Sequence, residues 1–127
     1  MKISIIAAVL AAPAMAETVT AENCTFPIAK SSDLITCDFT NHTDQAVASF
    51  SYATLITQKG RAVPWVDTNG DRPSRWLRPI SGGLEPQETL NLVVTSKTIP
   101  ERADLTALQI SVTPYDAINA AGEIIPD

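Results

Sequence analysis

Leu108-Gln109-Ile110-Ser111-Val112-Thr113 carries the clearest structural signal in the chain. Apolar and polar residues alternate, the period of a β-strand with one buried face. The same rhythm recurs on its N-terminal side. Leu90, Leu92 and Val94 mark another strand. Ile35, Cys37 and Phe39, alternating with Thr36, Asp38 and Thr40, mark a third. Ala46 to Thr57 reads as a longer strand with Ala48, Phe50, Tyr52 and Ile56 buried. Leu55 breaks its alternation, which predicts a bulge or burial on both faces. Shorter strands are expected over Cys24 to Ile28, Ala62 to Val66 and Ser74 to Ile80. Pro27 places the first of these on an edge, because proline cannot donate to a ladder. Ile124-Ile125 pairs as a last strand beyond an Ala121-Gly122 turn.

Turn residues punctuate these runs. Asn41 to Gln45, Lys59-Gly60, Asp67 to Pro73, and Ser81-Gly82-Gly83 with Pro86 read as turns and loops. Ser96 to Ala103 is polar and is expected to hold a helical turn after Pro100. No amphipathic helix is present, which excludes the α/β enzyme folds. Seven or eight short strands predict an all-β fold, an immunoglobulin-like antiparallel β-sandwich.

The chain has 127 residues, 45% hydrophobic and 18% charged, a composition suited to a single folded domain. Its start has a separate character. Lys2 is followed by an apolar run from Ile3 to Ala12, then Pro13 and the small-x-small site Ala14-Met15-Ala16. This is the pattern of a secretory signal peptide cleaved after Ala16. The run has about ten apolar residues, half of the roughly 20 that span a bilayer. The expected organisation is a signal peptide over 1–16 and one β-sandwich domain over 17–127, periplasmic or secreted. Removing residues 1–16 from the 127 leaves 111, and the loss of Lys2 moves the net charge from −5 to −6. That acidity argues against nucleic acid and against anionic lipid as partners. No later stretch is long and apolar enough for a membrane span.

An exported chain with two cysteines predicts a Cys24–Cys37 disulfide joining the first strand to the second. The competing reading, a metal pair completed by His42, fits no zinc spacing.

The order of features resembles exported bacterial modules of the immunoglobulin or fibronectin type, including the FxLYD group. The resemblance rests on Phe39-Thr40-Asn41-His42-Thr43, on the long run from Ala46 to Thr57 closed by Lys59-Gly60, and on Leu84-Glu85-Pro86-Gln87-Glu88-Thr89 before Leu90. Gln87 stands where the group has glycine, and the Phe-x-Leu-Tyr-Asp string is absent. The resemblance covers roughly residues 33 to 113 and implies the fold.

Catalytic signatures are sparse. His42 is the single histidine, in a polar turn and without a Gly-x-Ser-x-Gly elbow; a small hydrolase would have to use it as base. Glycines at 60, 70, 82, 83 and 122 form no phosphate loop. The carboxylate pairs Asp67/Asp71 and Glu85/Glu88 read as solvated turn residues. Asp67-Thr68-Asn69-Gly70-Asp71 opens like a calcium loop, but Arg72 replaces its glycine and Arg78 its bidentate glutamate. An Asn-Gly hairpin turn is the preferred reading there. Asn23 and Asn41 head Asn-x-Thr sequons, acceptors for glycosylation in a eukaryotic secretory route and turn residues in a bacterium, the reading preferred here.

The stretch from Lys59 to Ile80 stands out. It holds Lys59, Arg61, Arg72, Arg75 and Arg78 with both tryptophans, Trp65 and Trp76. Tryptophan and arginine combine large apolar area with directed polar groups and dominate binding hot spots. The candidate interaction surface is therefore Arg61, Trp65, Arg72, Arg75, Trp76 and Arg78, the alternative being tryptophan in the core with arginines reaching to water. The expected function is a non-enzymatic contact module of the cell envelope, without cofactor, whose partner is another envelope or secreted protein. Contact runs through this stretch or through an open sheet edge. The alternative classes are a small-ligand or calcium-binding periplasmic protein, a hydrolase, and a structural subunit of an assembly.

Overall fold

The computed structural model describes residues 17–27 and 33–126. The leader expected over 1–16 lies outside them, as does Ile28. Seven strands form two antiparallel sheets: β1 (Val19–Thr25), β2 (Leu34–Asn41), β3 (Val47–Gln58), β4 (Val66–Asp67), β5 (Leu77–Leu84), β6 (Thr89–Thr95) and β7 (Leu108–Asn119). The first sheet has the order β1-β2-β6. In the second, β3 is central, with β4 and β5 in succession along one edge and β7 along the other. The fold is all-β, as the alternation predicts.

The inner faces meet through aromatic rings. Phe39 of β2 lies 4.9 Å, centroid to centroid, from Phe50 of β3, which contacts Tyr52, which in turn contacts Trp76. Polar bonds tie the sheets as well. Tyr52 Oη donates to Thr95 O across the core and accepts from Thr95 N–H. Asn41 is wholly buried, and its Nδ2 donates to Gln45 O and to Leu84 O of the opposite sheet. Its Oδ1 accepts from the amide and hydroxyl of Thr43. Asn41 therefore ends β2 as an interior bracket, where the sequence reading placed a turn residue.

Cys24 and Cys37 form the expected disulfide, joining β1 to β2 across a sequence separation of 13. Closing such a loop contributes about 3 kcal/mol by constraining the unfolded chain. β1 begins at Val19, five residues before the predicted start at Cys24. The alternation is hidden there because Asn23 adopts φ 55° at a register shift between Glu22 and Thr25.

Several further expectations are corrected. Leu55 marks no bulge: it points outward at 39% exposure, and the irregularities of β3 lie between Val47 and Ser51. Val47 is consequently buried and Ala48 only half so. Ser81-Gly82-Gly83 is not a loop between elements but part of β5. Val47 pairs with Leu84 and Ser49 with Pro79, so Ile80 to Gly83 face Ala48 alone. That excess of chain is accommodated by Gly82 and Gly83 at φ 81° and 74°, a region open to glycine. The strand expected over Ala62 to Val66 reduces to the two-residue β4. Asn69-Gly70 forms a turn but not a hairpin, because β4 and β5 both pair with β3 rather than with each other. The helical turn expected after Pro100 is a single hydrogen-bonded turn, with Ala103 N–H donating to Pro100 O, and the helical turn of this connection, a 3-10 one, spans Leu105–Ala107. The last strand contracts to one bridge, Ile118 to Ile124.

Candidate functional site

The six residues singled out from Lys59 to Ile80 do not form one patch. Trp76 belongs to the core, 7% exposed at the end of the aromatic series. Its indole Nε1 donates to Asp71 Oδ2, which also receives Lys97 Nζ at 3.3 Å. These partners, the indole N–H foremost, hold the Asp71 carboxyl below the usual carboxylate range. Arg75 lies over the outer side of this tryptophan, its guanidinium carbon 5.4 Å from the ring centroid. Arg78 Nε donates to Val93 O of β6 at 2.8 Å, and its Nη1 donates to Pro79 O. Arg72 is exposed and precedes the 3-10 turn Pro73–Trp76, where its carbonyl accepts from Arg75 N–H.

Arg61 and Trp65 make a second, separate cluster. The Arg61 guanidinium carbon is 4.3 Å from the centroid of the half-buried Trp65 ring. A third member was not foreseen: Arg102, at 5.0 Å from the same centroid. Arg102 comes from the connection between β6 and β7, so nothing local in the sequence links it to Trp65. The organiser is Gln58 at the end of β3. Its Oε1 accepts from Trp65 Nε1 and from Asp104 N–H, both at 2.9 Å, and so fastens two loops to one strand end. Val63, in the same loop as Trp65, is 74% exposed.

The carboxylates of the calcium-like segment have structural occupations. Asp67 Oδ1 accepts from Asn69 N–H, and Asp71 serves Trp76 and Lys97. Thr68 Oγ1 accepts from Thr54 N–H. Among the described residues no group of three or more His, Cys, Asp and Glu side chains is placed to hold a metal ion. His42 is exposed and shares a 2.8 Å hydrogen bond with Thr20 Oγ1, on the rim of the first sheet.

The long strand β7 supplies a different kind of site. Its ladder to β3 runs from Gln58 with Leu108 to Val47 with Asn119. Lys59 N–H donates to Ala107 O just before that ladder. Antiparallel ladders alternate, so Gln109, Ser111 and Thr113 direct backbone groups to β3, while Leu108, Ile110 and Val112 direct theirs away. Pro114 falls in the outward series, where its missing N–H costs the ladder nothing. Among the described residues the outer edge of β7 pairs only near its end, through Ile118 with Ile124 and Ile125 N–H with Ala117 O. Beside the open part lies a groove of about 380 Å³ lined by Cys24, Phe26, Leu105, Leu108 and Ile110 among others. Leu108 and Ile110 are only half-buried there; β1 runs close by but does not pair with β7.

No family model, curated protein or solved structure matches the chain. Among the described residues no helix is long and apolar enough to cross a membrane.

Proposed function

We propose that this protein is an exported, immunoglobulin-like contact module without catalytic activity, which binds another envelope or secreted protein by adding a strand of the partner to β7. The observation that carries the reading is the open edge over Leu108–Thr113 together with the apolar groove beside it. An extended segment pairs its main chain with the outward groups of Leu108, Ile110 and Val112. Its alternate side chains fill the groove. The disulfide and the leader-like residues 1–16 support export. Pro114 limits the usable edge to a short run, a known means of discouraging indiscriminate sheet growth.

Ile110→Pro tests the reading. It removes one outward N–H and leaves the β3 ladder intact. Wild-type protein is expected to retain a partner from native envelope extract, and the folded variant to lose it. The bound partner should also slow amide exchange at Leu108, Ile110 and Val112. Equal retention by both proteins, or unchanged exchange at those amides, overturns strand pairing.

A further inference from the structure

The Trp65 cluster carries a second recognition site, independent of the β7 edge, and its charge specifies the ligand. Lys59, Arg61 and Arg102 are exposed. Among the described residues none of these three cations makes a salt bridge to a carboxylate. Asp104, close to Arg102 in sequence, commits Oδ1 to the amide and hydroxyl of Thr106. Two guanidinium groups thus share one indole in a chain of net charge −5. The ring attracts each cation, yet the cations repel one another. A carboxylate group arriving between them relieves that repulsion and gains forked hydrogen bonds to planar guanidinium groups. Gln58 has already fastened both loops, so little ordering remains to oppose binding.

We infer that Arg61, Trp65 and Arg102 form a docking site for an acidic segment of a partner protein. Its carboxylates pair with the two arginines, and an adjacent apolar side chain lies on the exposed parts of Trp65 and Val63. Arg72, Arg75 and Arg78 belong to the other cluster and take no part.

The test is calorimetric titration of the full chain with decaglutamate and, as control, decaglutamine. Saturable binding of decaglutamate is expected, with none of decaglutamine. The affinity should fall by about tenfold or more in Arg61→Gln/Arg102→Gln. It should fall comparably at about 0.5 M salt, where surface charges are screened. Arg61→Lys/Arg102→Lys keeps the charge but not the fork and is expected to bind with intermediate affinity. Both substitutions are at exposed positions, and an unchanged melting temperature verifies the fold of each variant. Ile110→Pro should leave this binding unaltered, which separates it from the β7 reading. The proposal is overturned by an absence of binding up to about 1 mM decaglutamate. Equal affinity of wild type and the Gln variant also overturns it, as does tighter binding of an anionic polysaccharide or of phosphatidylglycerol vesicles than of the peptide.

Discussion

Trp65 and Trp76 stand eleven positions apart in sequence, each with an arginine over its ring and each donating its indole N–H to a side-chain oxygen. One is half-exposed at the end of the sandwich and the other is core. The acceptors differ in charge. Trp76 uses Asp71, whose carboxylate also attracts Lys97 and, more weakly, Arg75. Trp65 uses the neutral amide of Gln58, and a second arginine joins the first, neither in a salt bridge among the described residues. An arginine beside a tryptophan is therefore not in itself a sign of a binding surface. On the proposal made above, what separates a strut from a contact site is whether the charge is satisfied internally.

Substitutions at the two rings give the widest separation. Trp76→Ala is expected to cost about 3–5 kcal/mol, the range for emptying a large core site, measured by urea unfolding. Trp65→Ala is expected to cost about 1 kcal/mol or less, because its ring is only half-buried. Similar losses at both positions would erase the distinction. A gain of about 1 kcal/mol is expected for Thr54→Val. Its Oγ1 is buried without a partner among the described residues, and its backbone N–H, which anchors the Trp76 side through Thr68, is kept.

Acid should also discriminate. Asp71 titrates below its unfolded value, so its stabilising effect is complete above the ordinary carboxylate range and is lost as pH falls through its folded value. The stability gap between wild type and Asp71→Asn is expected to narrow below about pH 4. A gap independent of pH would remove the charge from the account of Trp76. Asp38, held down by the Asn91 and Asn23 amides, and Asp104, held down by Thr106, keep their own acid sensitivity in the variant. The smallest signal comes from fluorescence quenching. Iodide should quench Trp65 more than caesium does, since the flanking arginines concentrate anions, and neither ion should reach Trp76.

Much of the frame was legible because alternation reports burial directly. β2, β6 and the first half of β7 follow it residue by residue. It failed where backbone geometry departs from the two-residue period. Asn23 at positive φ conceals β1, and Gly82-Gly83 looks like a loop because glycine marks both turns and bulges. The disulfide was readable from the leader-like start and the cysteine count. The site was legible only in part. Trp65 and Arg61 were named, but Arg102 arrives from the distant β6–β7 connection, which Gln58 fastens to the same strand end as the Trp65 loop. The burial of Trp76 depends on β5 bringing it beneath Tyr52, a tertiary fact without local trace.

The order of strands has a consequence in time. Each sheet is centred on an early strand, β2 or β3, whose second partner is a late one, β6 or β7. A chain that emerges N-terminus first exposes both central strands with one side unmatched until nearly all of it is out. Long-range pairing of this kind sets folding in the range of about milliseconds to seconds. The Cys24–Cys37 bond is the exception, since its two ends emerge close together. Once oxidised, it holds β1 beside β2 throughout that wait, shielding one flank of the first sheet from stray chains before its last strand arrives.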